Sequence, residues 1–165
     1  MIILLLMLLI PAAIIYYCFI IGCKMYSGIK ANGLLESISS KEDLIFMHYK
    51  DFVNVIAEVY ARKGHKVKLT SKCGEDGNGL ILDDLIYVEA WKHSRTHEVE
   101  IETAMKLASR MDRNSICRGI LITLGDFKQN TRAYCFKNVI ECINFDQLLA
   151  MCKQVQRRNM VPESY

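Results

Sequence analysis

The feature that most constrains this chain is its start: Met1 to Cys23 contains no charged side chain, and Lys24 is the first charge. A helix rises about 1.5 Å per residue, so the run reaches roughly 34 Å, enough for a hydrocarbon layer about 30 Å thick. A cleaved signal peptide is the rival reading. It fits poorly, because no basic residue precedes the run, the run is long for a signal, and Gly22-Cys23-Lys24 is a poor cleavage site. Residues 1–23 are therefore expected to be one transmembrane helix that stays attached. A membrane helix tolerates Pro11 in its interior, and Tyr16 and Tyr17 suit the interface. Lys24 and Lys30 follow the run, so the charge bias places the C-terminal domain in the cytoplasm, on a single-pass membrane protein.

The seven cysteines, at 18, 23, 73, 117, 135, 142 and 152, are an odd set without framework spacing, which fits a reducing compartment. They read as small buried hydrophobes. The net charge of +3 falls entirely after residue 23 and forms no long one-sign block. Such a balance permits a nucleic-acid partner without demanding one.

Residues 24–43, with Gly28, Gly33, Ser37, Ser39 and Ser40, read as a linker or short irregular helix, followed by a domain over 44–155 and a tail over 156–165. Phe52, Val55, Ile56, Val59 and Tyr60 have helical spacing, with Gly64 as the stop. His65 to Thr70 alternates, Val67 and Leu69 on one face and Lys66 and Lys68 on the other, as in a half-buried strand. After a Gly-rich turn, Leu80–Leu82 and Leu85–Ala90 flank Asp83-Asp84 as a tight hairpin or one bulged ribbon. A helix is expected over Glu98–Arg110, with Ile101, Met105, Ala108 and Met111 inward. A buried strand over Gly119–Leu124, a helix over Phe127–Lys137, a strand over Val139–Ile143 and a helix over Phe145–Val155 capped by Asn144 complete the pattern. The fold class is α/β, a mixed sheet flanked by helices and preceded by the membrane helix.

This order carries a family resemblance. The helix ending in Gly64, the strand His65-Lys66-Val67, the Gly/acid turn and the strand Tyr87-Val88-Glu89-Ala90-Trp91-Lys92 are followed by Gly119-Ile120-Leu121-Ile122-Thr123, Phe127 and Val139-Ile140-Glu141-Cys142-Ile143-Asn144-Phe145. Over roughly residues 44–152 the chain resembles the Mrr-type restriction endonuclease domain of the PD-(D/E)xK nuclease superfamily. The resemblance implies a restriction-endonuclease-like sheet and a Mg²⁺ site. Active members place an acid, then Gly, an aliphatic residue and Asp in the first turn, and Gln or Glu, one residue and Lys on the next strand. The carboxylates hold the metal, the metal stabilises charge on the phosphate, and the lysine helps position or activate water.

Here Glu75 stands at the first acid, Gly77 at the glycine and Glu89 at the Gln/Glu position, but Gly79 replaces the Asp and Trp91 the Lys. Lys92, one residue on, belongs to the opposite strand face. The resemblance thus implies a degenerate nuclease, a pseudoenzyme, with Glu75, Glu89 and Lys92 as the remaining catalytic candidates and Glu75, Asp76 and Glu89 as metal candidates. In a shifted site, Asp76, Asp83 or Asp84 supplies the missing carboxylate and a bulge turns Lys92 inward. The plainer reading makes Glu75, Asp76, Asp83 and Asp84 solvated turn residues.

Lys66, Lys68 and Lys72, near Lys63, read either as a patch for DNA phosphates or as a lysine-guarded edge strand. His93 and His97 have the spacing of a helical metal pair, but Ser94-Arg95-Thr96 reads as loop and no third ligand is near. Trp91 reads as an apolar plug in the cleft or a stacking surface. The expected function is a membrane-anchored, restriction endonuclease-like protein that binds DNA, nonspecifically or at modified bases, with endonuclease activity doubtful or lost. Mg²⁺ is the cofactor if it is active, and none otherwise. The alternative is a non-enzymatic module binding a protein partner at the cytoplasmic membrane face, and no small-molecule substrate is expected.

Overall fold

A computed structural model of the chain describes residues 2–74, 79–92 and 98–158, without the side chains at 2–9, 12, 24, 25, 27, 157 and 158. Helix α1 spans Ile2–Ser37, with Pro11 inside it. Among the described residues no helix is long and apolar enough to cross a membrane, so the transmembrane helix expected over 1–23 is not found there. The physical difference lies in what α1 does after residue 23. Its second half is part of the domain: Ala31 and Leu35 are buried, Ile38 follows them into the core, and Lys30 pairs with Asp51 at 2.8 Å. Arg62 reaches back from the next long helix to Glu36 and Asn32.

The linker expected over 24–43 is therefore helix and core. Its Gly and Ser content obscured a buried stripe at 31, 35 and 38. Helix α2, Lys41–Phe46, starts where the Asp43 carboxylate accepts the backbone N–H groups of Ser39 and Ser40 at 2.8 Å each, bonds that hold its pKa below the ordinary value. Helix α3, Tyr49–Arg62, buries Phe52, Val53, Val55, Ile56, Val59 and Tyr60 on one face and ends at Gly64, whose φ of +95° suits glycine.

Strands β1 (Val67–Thr70), β2 (Gly79–Leu82), β3 (Ile86–Trp91), β4 (Arg118–Thr123) and β5 (Ile140–Ile143) form one sheet in that order. β1, β2 and β3 are antiparallel neighbours, whereas β3, β4 and β5 run parallel and need the crossover helices α4 (Ile101–Arg113) and α5 (Gln129–Lys137). Helix α6, Phe145–Arg158, closes the fold. It starts with a reciprocal cap, in which Gln147 N–H donates to Asn144 Oδ1 at 3.1 Å and Asn144 N–H donates to Gln147 Oε1 at 2.9 Å. Gln156, expected in a tail, lies in α6 and donates to the carbonyls of Leu35 and Ile38, tying the two ends of the domain together.

Alternation along the strands sorts the core into two layers. Leu80, Leu82, Val88, Ala90, Ile120 and Ile122 pack with α1, α3 and α6, while Tyr87, Leu121 and Ile140 pack with Cys73, α4 and α5. The second layer corrects the expected α4 stripe. Ala104, Leu107, Ala108 and Met111 are buried, whereas Met105 is 49% exposed, because the inward stripe at i, i+3, i+4 and i+7 starts from Ala104 and leaves Met105 turned away from it. Leu69, expected inward, is 64% exposed at the sheet edge.

Candidate active site and nucleic-acid surface

The β2–β3 hairpin sets the site. Asp83 and Asp84 adopt φ of +53° and +61°, the left-handed pair that a tight turn requires and that Asp tolerates. The register pairs Leu80 with Val88, which brings Gly79 across from Glu89 at the end of the ladder. Glu89 and Trp91 lie on the face covered by α4 and α5, with Glu89 opposite Leu121 and Trp91 opposite Thr123 in β4.

Glu89 is completely buried, and its Oε1 accepts a hydrogen bond from Nη1 of Arg110 on α4. A buried carboxylate without such a partner costs several kcal/mol, so this cation is what allows the glutamate to sit in the core. The second oxygen, Oε2, has no hydrogen-bond partner among the described residues. Arg110 keeps 28% of its side chain exposed, so it links the buried acid to the surface. Cys73 is buried beside them, and its thiol is pushed up to about 12 by burial and by the negative charge of Glu89, partly offset by Arg110. Its Sγ faces the carbonyls of Leu80 and Val88 at 3.7 and 3.8 Å.

Cys73 also explains Gly79. A Cβ at position 79 would lie 2.5 Å from the carbonyl oxygen and 2.7 Å from the carbonyl carbon of Cys73, and closer still to its Sγ. Backbone atoms cannot rotate away, so the position excludes an aspartate for lack of space as well as lacking one. Lys92 follows the last residue of β3, and the alternation puts it with Val88 and Ala90, opposite Glu89; burial lowers its pKa. The structure thus brings together Glu89, Gly79, Cys73 and Arg110, and it does not bring Lys92 to them.

Of the other candidates, Glu75, Asp76 and Gly77 of the turn, and the His93 and His97 pair, lie outside the described residues. Asp83 and Asp84 are occupied elsewhere. Asp83 bonds to His65 Nδ1 at 2.7 Å and to the Lys66 N–H at 2.8 Å, and both bonds hold its pKa below the ordinary value. Asp84 takes Lys68 Nζ and, at 3.5 Å, Lys66 Nζ, and its pKa is lowered by the same lysines, Lys68 first. The turn is separated from Glu89 by the length of β3, about 10 Å from Ile86 onward. It cannot complete a shifted site, and its Asp84 pairs with both lysines expected to hold DNA. Lys72 is exposed, its backbone N–H bonded to Thr70 Oγ1 at 3.1 Å.

Among the described residues no group of three or more His, Cys, Asp or Glu side chains is placed to hold a metal ion. One oxygen of Glu89 is taken by a guanidinium, and position 79 has no room for a second carboxylate, so among the described residues Glu89 has no second carboxylate with which to hold a divalent cation. Arg110 is the residue that sequence reasoning missed. Its signal was present as Lys106, Arg110 and Arg113 at helical spacing, but nothing in the pattern tied Arg110 to a glutamate 21 positions earlier.

Comparison with known proteins agrees with this architecture. The restriction endonuclease family model of the Mrr catalytic type matches residues 46–152. No curated protein matches the chain. Among solved structures, the DNA modification-dependent restriction endonuclease AspBHI is similar at 14% identity and a TM-score of 0.51, over 78% of this chain and 38% of its own length. The MspJI restriction endonuclease in complex with a 27-mer oligonucleotide gives 15% identity, a TM-score of 0.49, 73% of this chain and 35% of its own. The chain therefore spans little more than a third of either protein.

Proposed function

The chain belongs to the Mrr-type restriction endonuclease family, and from that premise we propose that its domain binds DNA through the phosphate backbone, nonspecifically or at modified bases, without hydrolysing it. The observation that carries this reading is the Glu89–Arg110 pair. In hydrolytic sites of this kind a Mg²⁺ held by carboxylates stabilises charge on the phosphate and lowers the pKa of the attacking water. A guanidinium supplies positive charge for binding but does not activate water in that way. Steric exclusion of a carboxylate at Gly79 supports the same conclusion. The test is to incubate the full chain, in detergent, with supercoiled plasmid and Mg²⁺ or Mn²⁺. The plasmid is expected to stay intact; nicking that Glu89→Ala or Lys92→Ala abolishes would overturn the reading.

The amino-terminal half of α1 supports a location at a membrane surface. Ile14, Ile15, Tyr17 and Phe19 are between 57 and 69% exposed on a stretch with no charge before Lys24, apolar area that water disfavours. Lys24 and Lys30, beside this stretch, suit the anionic lipid of a cytoplasmic membrane face, which places the domain on that side. Co-sedimentation with membranes is the expected result, and recovery of the protein in the soluble fraction would contradict it. The same apolar stretch is what favours the second reading, a protein-interaction module at that membrane face.

A further inference from the structure

Several cations of the domain are matched by an acid. Lys30 pairs with Asp51, Lys41 with Asp146, Arg62 with Glu36 and Glu58, Lys128 with Glu100 and Arg132 with Asp126. Lys66 and Lys68 share Asp84. Helix α4 differs. Lys106, Arg110 and Arg113 stand at i, i+4 and i+7, one stripe on its surface. Lys106 and Arg113 are exposed, and neither has an acidic partner among the described residues; Arg113 Nε donates to the Ser109 carbonyl at 3.2 Å. Glu102 precedes the stripe at its amino end, and Asp112 lies two residues past Arg110, on the far side of the helix.

We infer that Arg110, flanked by Lys106 and Arg113, is the phosphate-binding site of this chain for duplex DNA, an assignment that rests on the DNA-binding reading above. The middle residue is the one that the buried Glu89 holds in place. Anchoring one nitrogen fixes the plane of the guanidinium and leaves its other donors for a second anion. A side chain already fixed loses less rotamer freedom on binding. The exposed neighbours extend the positive stripe about 10 Å along the helix axis. A run of phosphates complements that charge, and contacts of this kind position a duplex without reading its sequence. The buried acid at the former metal position thus orients an arginine, and the arginine takes the phosphate.

The experiment uses the full chain in detergent, a short fluorescent duplex of random sequence, and chelator throughout. Affinity is measured at several salt concentrations. Each lost phosphate contact lowers the slope of log K against log salt by about 0.9. Lys106→Gln/Arg113→Gln, two exposed changes that leave the core intact, should lower the slope by about 1.8. Arg110→Gln should lower it further where circular dichroism shows that variant folded, and the exposed pair decides the matter if it is not. Lys66→Gln/Lys68→Gln should leave the slope unchanged. A parent that binds while Lys106→Gln/Arg113→Gln keeps its slope overturns this assignment and spares the DNA-binding reading. A parent that binds no duplex overturns both.

Discussion

Removing Arg110 without removing Glu89 is the sharpest test of how the core tolerates a buried acid. Arg110→Met keeps the aliphatic stem and deletes the cation that, among the described residues, bonds to a carboxylate with no exposed surface. Breaking a fully buried pair from one side costs about 3–5 kcal/mol, because the orphaned charge stays desolvated. Arg110 is 28% exposed, so water compensates part of that, and the expected cost is about 2–4 kcal/mol. For a chain of this size that lowers Tm by about 4–16 °C. Glu89→Leu/Arg110→Met replaces both charges with apolar atoms and should recover most of the loss, since such exchanges are often neutral or stabilising. Thermal and urea unfolding of the parent, Arg110→Met, Glu89→Leu and the double variant, followed by circular dichroism, closes the cycle. An Arg110→Met variant within about 0.5 kcal/mol of the parent would refute the claim that Arg110 compensates Glu89, as would a double variant less stable than Arg110→Met alone.

Three further outcomes follow from the same structure. Gly79→Ala should destabilise by about 1–3 kcal/mol through overpacking against the Cys73 backbone, and Gly79→Asp/Trp91→Lys should restore no plasmid nicking; a stable, nicking double variant would show that the position opens. Asp43 and Asp83 have pKa values held below the ordinary 3.8, so their contribution to stability is complete above that pH and is lost as the pH falls through the lowered values. Asp83→Asn should therefore flatten the acid side of the stability profile, and an unchanged profile would contradict the His65 and Lys66 bonds. The Cys73 thiol, pushed up to about 12 and buried, should resist iodoacetamide in the native protein while exposed Cys117 reacts, which peptide mass mapping resolves.

Much of the fold was legible because its signals are local. Helix α3 followed from the spacing of Phe52, Val55, Ile56 and Val59, the β2–β3 turn from Asp83-Asp84, and the start of α6 from Asn144. Each is set within a few residues of itself. The second half of α1 was misjudged because its glycines and serines outweighed Ala31, Leu35 and Ile38, whose burial depends on α3 and on Gln156 more than a hundred positions away. A fragment starting near Asp43 would lose Leu35 and Ile38 from the core, which is why the full chain is the proper material for every assay. At the site, Gly79 and Trp91 could be read directly, whereas what surrounds them could not. That Cys73 closes the space at 79, that Asp84 pairs with Lys66 and Lys68, and that Arg110 reaches Glu89 are all results of chain folding.

On the proposed reading a resident arginine, and no metal, presents positive charge to DNA at this site. The deciding measurement is the affinity of the full chain for a duplex at fixed ionic strength, first in chelator and then with Mg²⁺ added. Full binding is expected in chelator and equal or weaker binding with Mg²⁺, which competes for the phosphates as a counterion. Binding that is absent in chelator and appears on addition of Mg²⁺ would contradict it.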